Sequence, residues 1–289
     1  MQNETTRFCV PWAAFDAIIK PHYPKSGRIG GQSIGLTTML RIYLMQQWFQ
    51  LSDPMMKDDR YEIESMRRFA KLELCEDRLP DETTILNFRR LIEKHQLSAT
   101  IFADINQYLV AKGIKVSQGS MVDATIIQAP SSTKNKDKKR DPDMRSTRKN
   151  NQYYFGFKIH SNVIHSATVT PANEADVNEL PKLLRKDDKI VFADAGYTSD
   201  TYKREARSLG MSWKVNDKRK PKKNMSSSQK KQNRKNSQIR ARVEHCFRVI
   251  KCQFGYKKAS YKGLVKNAVQ VLTLLGLANL YMLRGPLGG

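Results

Sequence analysis

The runs SMVDATII at residues 120–127 and KIVFADAGY at residues 189–197 decide the reading of this chain. Both are short, rich in β-branched and aromatic residues, and bounded by polar or turn-forming residues, which predicts two strands. Each carries an acid: Asp123 inside the first, and Asp194 at the carboxyl end of the second, just before Gly196. A carboxylate among apolar strand residues is costly unless it is paired or metal-bound. The carboxyl ends of strands are also where α/β sheets place their ligand crevice.

Working outward, YYFGFKIH (153–160) and VIHSATVT (163–170) read as two further strands, and ADVNELPKLLRK (175–186) as a helix. The order strand, hairpin, helix, strand, helix predicts an α/β sheet with helices packed on it. Ser161 and Asn162 stand where a two-residue turn would close the hairpin. That register sets Phe155, Phe157, Ile159 and Ile164 on one face and Lys158 opposite His165 on the other. His160 and His165 then read as cross-strand surface packing.

Residues 1–116 carry a different period. LTTMLRIYLMQQWFQLS (36–52) has Met39, Ile42, Tyr43, Gln46 and Phe49 at helical spacing. PDETTILNFRRLIEKHQL (80–97) opens with Asp and Thr cap candidates, then sets Ile85, Phe88, Leu91 and Ile92 on one face. Arg89, Arg90 and Lys94 fall on the other, making a basic outer face suited to DNA contact. The expected organisation is an N-terminal all-α part over 1–116, suited to DNA contact, and an α/β domain over 117–289. The apolar LVKNAVQVLTLLGLANLYML (264–283) is expected as a helix covering the sheet.

A formal net charge of +23 makes a polyanion, above all nucleic acid, the natural partner. No run of eighteen apolar residues and no charged-then-apolar leader is visible, so a non-exported protein without a membrane partner is expected. Four scattered cysteines without a CxxC pair indicate neither a disulfide framework nor a zinc site. The positive charge is concentrated. Residues 133–150 hold eight Lys or Arg against three Asp, and residues 214–242 hold twelve against one. Basic insertions near 133–150 and 214–236, the latter including Lys218, Arg219 and Lys220, are expected to be mobile without a ligand and to grip DNA phosphates.

The third acid is Glu244, in SQIRARVEHCFRVIKCQF (237–254). Ile239, Val243, Phe247 and Ile250 follow helical spacing, while Arg240, Glu244, Arg248 and Lys251 recur on a neighbouring polar face. By itself Arg240–Glu244 would be an ordinary surface pair. With two further carboxylates, however, a hard cation is needed to offset mutual repulsion, and Mg²⁺ takes a few carboxylates plus water and phosphate oxygen. Two such ions about 3.5–4 Å apart suit in-line displacement at a phosphodiester.

The runs SMVDATIIQAPSSTKN (120–135) and VFADAGYTS (191–199), with the spacing of Arg240, Glu244 and Lys251, resemble those of bacterial insertion-sequence DDE transposases of the insertion-sequence-five family. The likeness covers nearly the whole chain. It implies a ribonuclease-H-like catalytic core, a mixed sheet flanked by helices, with the N-terminal helical part helping to bind transposon ends. It further implies cut-and-join chemistry on double-stranded DNA, both element ends and target, in a multimer. Carried over, the triad falls on Asp123, Asp194 and Glu244, holding two Mg²⁺ with Mn²⁺ as a substitute. Arg240 and Lys251 fall on the basic positions around the glutamate, where they would contact end DNA or orient the acid. A nucleoid-associated, cytoplasmic protein is expected.

Asn173 and Asp176 resemble a polar motif of the family, although a helix cap explains Asp176 as well. Trp213 and Tyr197 are open between base stacking and core packing. Two departures stand out: Ser237 occupies a position where the family usually carries an aromatic or Asn, and the excursion at 156–167 between the central strands is short. Two rival readings follow: a hydrolytic nuclease of the same fold, or a decayed transposase that only binds DNA.

Overall fold

A computed structural model describes residues 10–24, 34–74, 76–112, 119–162, 165–185, 187–218 and 224–282. The chain divides into two compact units. One holds residues 1–109 with 253–255 and 272–289, and the other holds 110–252 and 256–271.

The first unit is helical: α1 (Trp12–Ile19), α2 (Leu36–Phe49), α3 (Asp53–Glu62), α4 (Glu64–Ala70), α5 (Glu82–Lys94) and α6 (Leu97–Ala111). Helix α2 is buried on nearly all sides, including Leu40, Leu44, Met45 and Trp48, while Phe49 at its end is exposed. Helix α5 starts at the expected cap, with Asp81 accepting the Thr84 N–H at 2.7 Å. Its basic face is narrower than expected. Arg89 is not an outward DNA contact, because it donates to Asp53 Oδ2 at 2.8 Å and is only 12% exposed. Lying four residues after Ile85 and three before Ile92, it borders the buried stripe, so an internal partner captures it. Arg90 and Lys94 are exposed.

Helix α10 (Leu264–Met282) corrects a second expectation. Its residues 264–271 group with the sheet's unit, whereas 272–282 pack within the helical unit. Thr273 Oγ1 bonds Tyr43 Oη and Ser98 Oγ, both at 3.0 Å, and Asn279 donates to Asn106. At Gly276 an added Cβ would lie 2.7 Å from Ile105 Cδ1, so α10 approaches α6 closely there and a larger residue would displace the tip of Ile105. The helix is long and apolar enough to span a bilayer by length and composition, but 67% of its most apolar window is buried inside the protein.

The second unit is built on a mixed sheet: β1 (Gly119–Gln128), β2 (Arg145–Lys149), β3 (Gln152–Asn162), β4 (Ser166–Pro171), β5 (Ile190–Ala193) and β6 (Ser212–Val215). Strand β3 runs antiparallel to β1 and β4, while β1, β5 and β6 are parallel. The order β4-β3-β1-β5-β6, flanked by α7 (Leu180–Leu183), α8 (Asp200–Ser208) and α9 (Ser227–Arg248), is the ribonuclease-H-like arrangement. Val122, Val191, Ala193, Leu180, Leu183, Tyr197 and Ala206 share one core cluster.

Three expectations change here. The hairpin does not turn at Ser161 and Asn162, which stay in β3, and Lys158 pairs with Thr170, not His165. The turn falls later, and Ile164 lies outside the described residues. Asn162 is held in the strand by its amide, which donates to Ser120 Oγ and the Leu183 carbonyl while its carbonyl accepts the Met121 N–H. His160 is fully buried and bonds Thr170 Oγ1 at 2.8 Å, so it is not surface packing.

The two basic insertions are also partly regular. Residues 145–149 form β2, joined to β3 through Asn150 and Asn151, both at positive φ, as a two-residue turn of the right-twisting kind requires. The preceding loop is anchored: Asp141 accepts the Gly263 N–H at 2.7 Å, Asp143 accepts the Leu264 N–H at 3.0 Å, and Asp137 pairs with Lys262. The three acids within that basic run therefore tie it to the start of α10. In the second run, Lys214 and Val215 belong to β6, and α9 begins at a Ser226–Gln229 capping box. Arg219 and Lys220 lie outside the described residues.

Candidate active site

Met121 of β1 lies level with Phe192 of the parallel β5. Asp123 and Asp194 each follow two residues on, so they stand side by side where β1 leaves β5 and continues along β3. That is the carboxyl-end crevice of the sheet. Asp123 accepts the Ala124 N–H at 2.9 Å, and Asp194 caps a 3₁₀ turn by accepting the Gly196 N–H at 2.8 Å.

The third acid comes from α9, which packs against β1 and β5. Its buried stripe follows the expected apolar residues only toward the end, at Phe247 and, just beyond the helix, Ile250. Asn236, Arg240, Phe247 and Ile250 are buried, Ile239 is exposed, and the Val243 side chain lies outside the described residues. The inward stripe thus carries polar groups where the helix crosses the strand ends. Arg240 Nη2 lies 3.9 Å from Asp123 Oδ2 and 3.5 Å from Glu244 Oε1, and its Nε is buried without a hydrogen-bond partner among the described residues. Asn216 bonds Ser237 Oγ, so serine at that position braces α9 against the end of β6.

Electrostatics links the acids. Burial raises the Asp123 carboxyl to about 6, the Arg240 charge and the Ala124 hydrogen bond oppose this, and Asp194 and Glu244 raise it further. Three carboxylates that feel one another, with oxygen donors only, fit a hard divalent cation, which would relieve that repulsion. Arg240 stands between two of them, and no trio of His, Cys, Asp or Glu closes to metal-holding distance among the described residues.

Lys251 departs from the expected face. The chain after α9 continues as a π-turn, Val249–Gln253, whose wider winding rotates Lys251 away from the direction an α-helix would give it. Its ammonium donates to the Ile126 carbonyl at 2.8 Å, and burial, then the Lys149 charge, lowers its pKa. Arg248 and Lys218 are exposed. Lys218 lines a cleft of about 1180 Å³ with Lys203, Arg207, Trp213, Lys214 and Asn233, beside the acids and not over them. Trp213 is half-buried there, whereas Tyr197 is a core residue.

Residues 115–280 match the family described as Transposase DDE domain. The chain belongs to the DDE transposases. Residues 5–91 of this transposase also match the family described as Transposase domain (DUF772), and no solved structure matches the chain. It is accordingly a DNA-binding polynucleotidyl transferase whose domain class works with divalent metal ions.

Nothing in the sequence pattern marked β2 or β6, and the polar face that carries Arg240 beside Glu244 gave no sign that the Arg240 side chain is buried. The only available signal for the last was the pair Asn236 and Arg240, four residues apart, on a helix poor in apolar residues over that stretch.

Proposed function

We propose that this transposase, of the insertion-sequence-five family, cuts at the ends of its element and joins the freed 3′-hydroxyl to target DNA. Asp123, Asp194 and Glu244 are the acids of the reaction, holding two Mg²⁺ ions for which Mn²⁺ substitutes. The observation that carries this reading is the side-by-side register of Asp123 and Asp194, with Glu244 close enough to raise the Asp123 carboxyl.

Water attacks the phosphodiester at the element end, releasing a 3′-hydroxyl and leaving a 5′-phosphate. That hydroxyl then attacks a target phosphodiester. One P–O bond forms as the target P–O3′ bond breaks, the attacking oxygen gives up its proton and the departing oxygen gains one, so no external energy source is needed. Bound divalent ions supply charge stabilisation to the attacking and leaving oxygens. Arg240 orients Asp123 and Glu244 and directs guanidinium charge at the scissile phosphate. Lys251 braces β1 behind Asp123 through the Ile126 carbonyl. The exposed Arg90, Arg248 and Lys218 hold DNA phosphates, with Arg219 and Lys220 continuing that run, and the cleft beside the acids takes the DNA strand. Residues 1–116 bind the element ends, residues 117–289 carry the reaction, and the protein works as a homo-oligomer on DNA in the cytoplasmic nucleoid.

The test is incubation with Mg²⁺, DNA flanking its own gene and a plasmid target. Covalent joining of end 3′-hydroxyls to the plasmid is expected. Hydrolysis alone would make it a nuclease, and binding without cleavage would leave only a DNA-binding protein.

A further inference from the structure

Asp176 opens the 3₁₀ turn after β4, on an element that carries none of the three acids. Its Oδ1 accepts Lys158 Nζ at 2.8 Å, and the same ammonium donates to the Glu174 carbonyl at 2.7 Å. Lys158 projects from β3 and is only 13% exposed, so the pair is partly withdrawn from solvent. His160, two residues along and on the same face, brings Nδ1 to 3.9 Å from Asp176 Oδ1. That Nδ1 is buried and has no hydrogen-bond partner among the described residues, its ring being held through Nε2 by Thr170. Asp176 is thus fixed from one side by Lys158, with the buried His160 ring beside it.

The other carboxylate oxygen faces the opposite way. A Cβ built on Gly196 would lie 3.5 Å from Asp176 Oδ2 and 3.0 Å from Asp194 Oδ1. The two carboxylates therefore converge on one point beside Gly196, where a methyl would press on the Asp194 carboxylate, and the Gly196 N–H is the group that binds Asp194. Tyr197, next along the turn, has its hydroxyl buried without a hydrogen-bond partner among the described residues, and its pKa is raised by burial first and then by Asp176, Asp123 and Asp194 together. A helix cap would explain Asp176, but the cap position of that turn is Ala175, and Asp176 is its first residue.

We infer that Asp176, held by Lys158, is a positioning residue for Asp194: it abuts the 194–197 turn through the open face of Gly196, fixes the direction of the Asp194 carboxylate and adds a negative charge behind it. This rests on Asp194 binding the divalent ion. Partners of this kind typically alter metal affinity about 10–100-fold.

The experiment measures Mn²⁺ binding to the full-length protein on end DNA by electron paramagnetic resonance, alongside the Mn²⁺ dependence of cleavage. Asp176→Asn is expected to weaken Mn²⁺ binding about tenfold, to raise half-saturation of cleavage equally, and to recover at high Mn²⁺. Gly196→Ala, which inserts a methyl between the two carboxylates, is a second variant expected to do the same. Lys158→Met combined with Asp176→Asn should cost no more than Asp176→Asn alone, since the pair acts as a unit. Thermal midpoints identify any variant that fails to fold, and the other variant then carries the test. Wild-type half-saturation in a folded Asp176→Asn, or a loss of rate with unchanged metal dependence, overturns the inference. If Asp194→Asn itself leaves Mn²⁺ binding intact, the proposed metal site fails instead.

Discussion

Arg240 Nη2 lies 3.9 Å from Asp123 Oδ2, so a cation carried by α9 sits against a carboxylate carried by β1. This contact joins helix to sheet at the crossing where the reaction is proposed. It also distinguishes Arg240 from the exposed lysines and arginines, whose charge is free to attract DNA anywhere.

Arg240→Ala should therefore lower cleavage and joining on cognate ends more than tenfold while leaving affinity for random duplex near wild type. Arg240→Lys should also be impaired, because an ammonium cannot reproduce the planar two-point grip of a guanidinium. Arg248→Ala and Lys218→Ala should lose only non-specific affinity. The comparison is made at fixed salt with saturating DNA. Arg240 variants that regain full cleavage once DNA is saturating would reduce the residue to a generic basic contact.

Asp123→Asn, Asp194→Asn and Glu244→Gln should each reduce cleavage on the order of 10³-fold or more, with DNA binding largely retained. Gel-shift and cleavage assays on the same preparations separate the two effects. Near-normal cleavage by any one variant removes that acid from the site.

The Asp123 carboxyl titrates at about 6 in the fold, above the roughly 3.9 of an unfolded aspartate. The folded state thus holds this proton more tightly. The group favours folding below about pH 4, and that contribution is lost as pH rises through about 6. With chelator present, Asp123→Asn should consequently be more stable than wild type at pH 7.5, by on the order of 2 kcal/mol, and the gap should close near pH 4. Thermal melts at the two pH values measure it. A gap independent of pH would show that Arg240 fully offsets the burial of the charge.

Gly156 lies where β3 passes β1, and an added Cβ would meet the Ile127 carbonyl at 2.0 Å and the Ala129 N–H nitrogen at 3.0 Å. Backbone cannot yield as a side-chain tip can. Gly156→Ala should destabilise the second unit by about 3 kcal/mol, read by denaturant unfolding.

Affinity for generic duplex should fall steeply with salt, with a log–log slope of about −0.9 per phosphate neutralised. Deleting charge from 133–140 or 230–235 should flatten it. An unchanged slope would show that these runs do not meet DNA.

The class of fold was legible because its signals are local. Period-two runs around Asp123 and Asp194, helical spacing before residue 112 and the cap at Asp81 depend on neighbours a few residues away, and the strands and helices formed accordingly. The first two acids were legible for the same reason: a carboxylate inside an apolar strand is anomalous without any knowledge of the fold. What a side chain faces was not legible. Arg89 and Arg240 are both cations at the border of a stripe; spacing set Arg89 on an outer basic face and Arg240 on a polar face beside Glu244, with no sign of a partner on another element. Only packing gave Arg89 to Asp53 and Arg240 to Asp123. Likewise, the turn after β3, the departure of Lys251 in a π-turn and the fate of 272–282 depend on long-range partners. Thr170 faces Lys158, Ile126 receives Lys251, and Tyr43 and Ser98 receive Thr273. The sequence by itself determined the helices of the N-terminal part, the strands around the two aspartates and which acids are out of place among apolar neighbours. The tertiary structure alone decided which charges meet, because a charge is satisfied by whichever opposite group the closed fold brings within a few ångströms, and that distance is not a property of spacing along the chain.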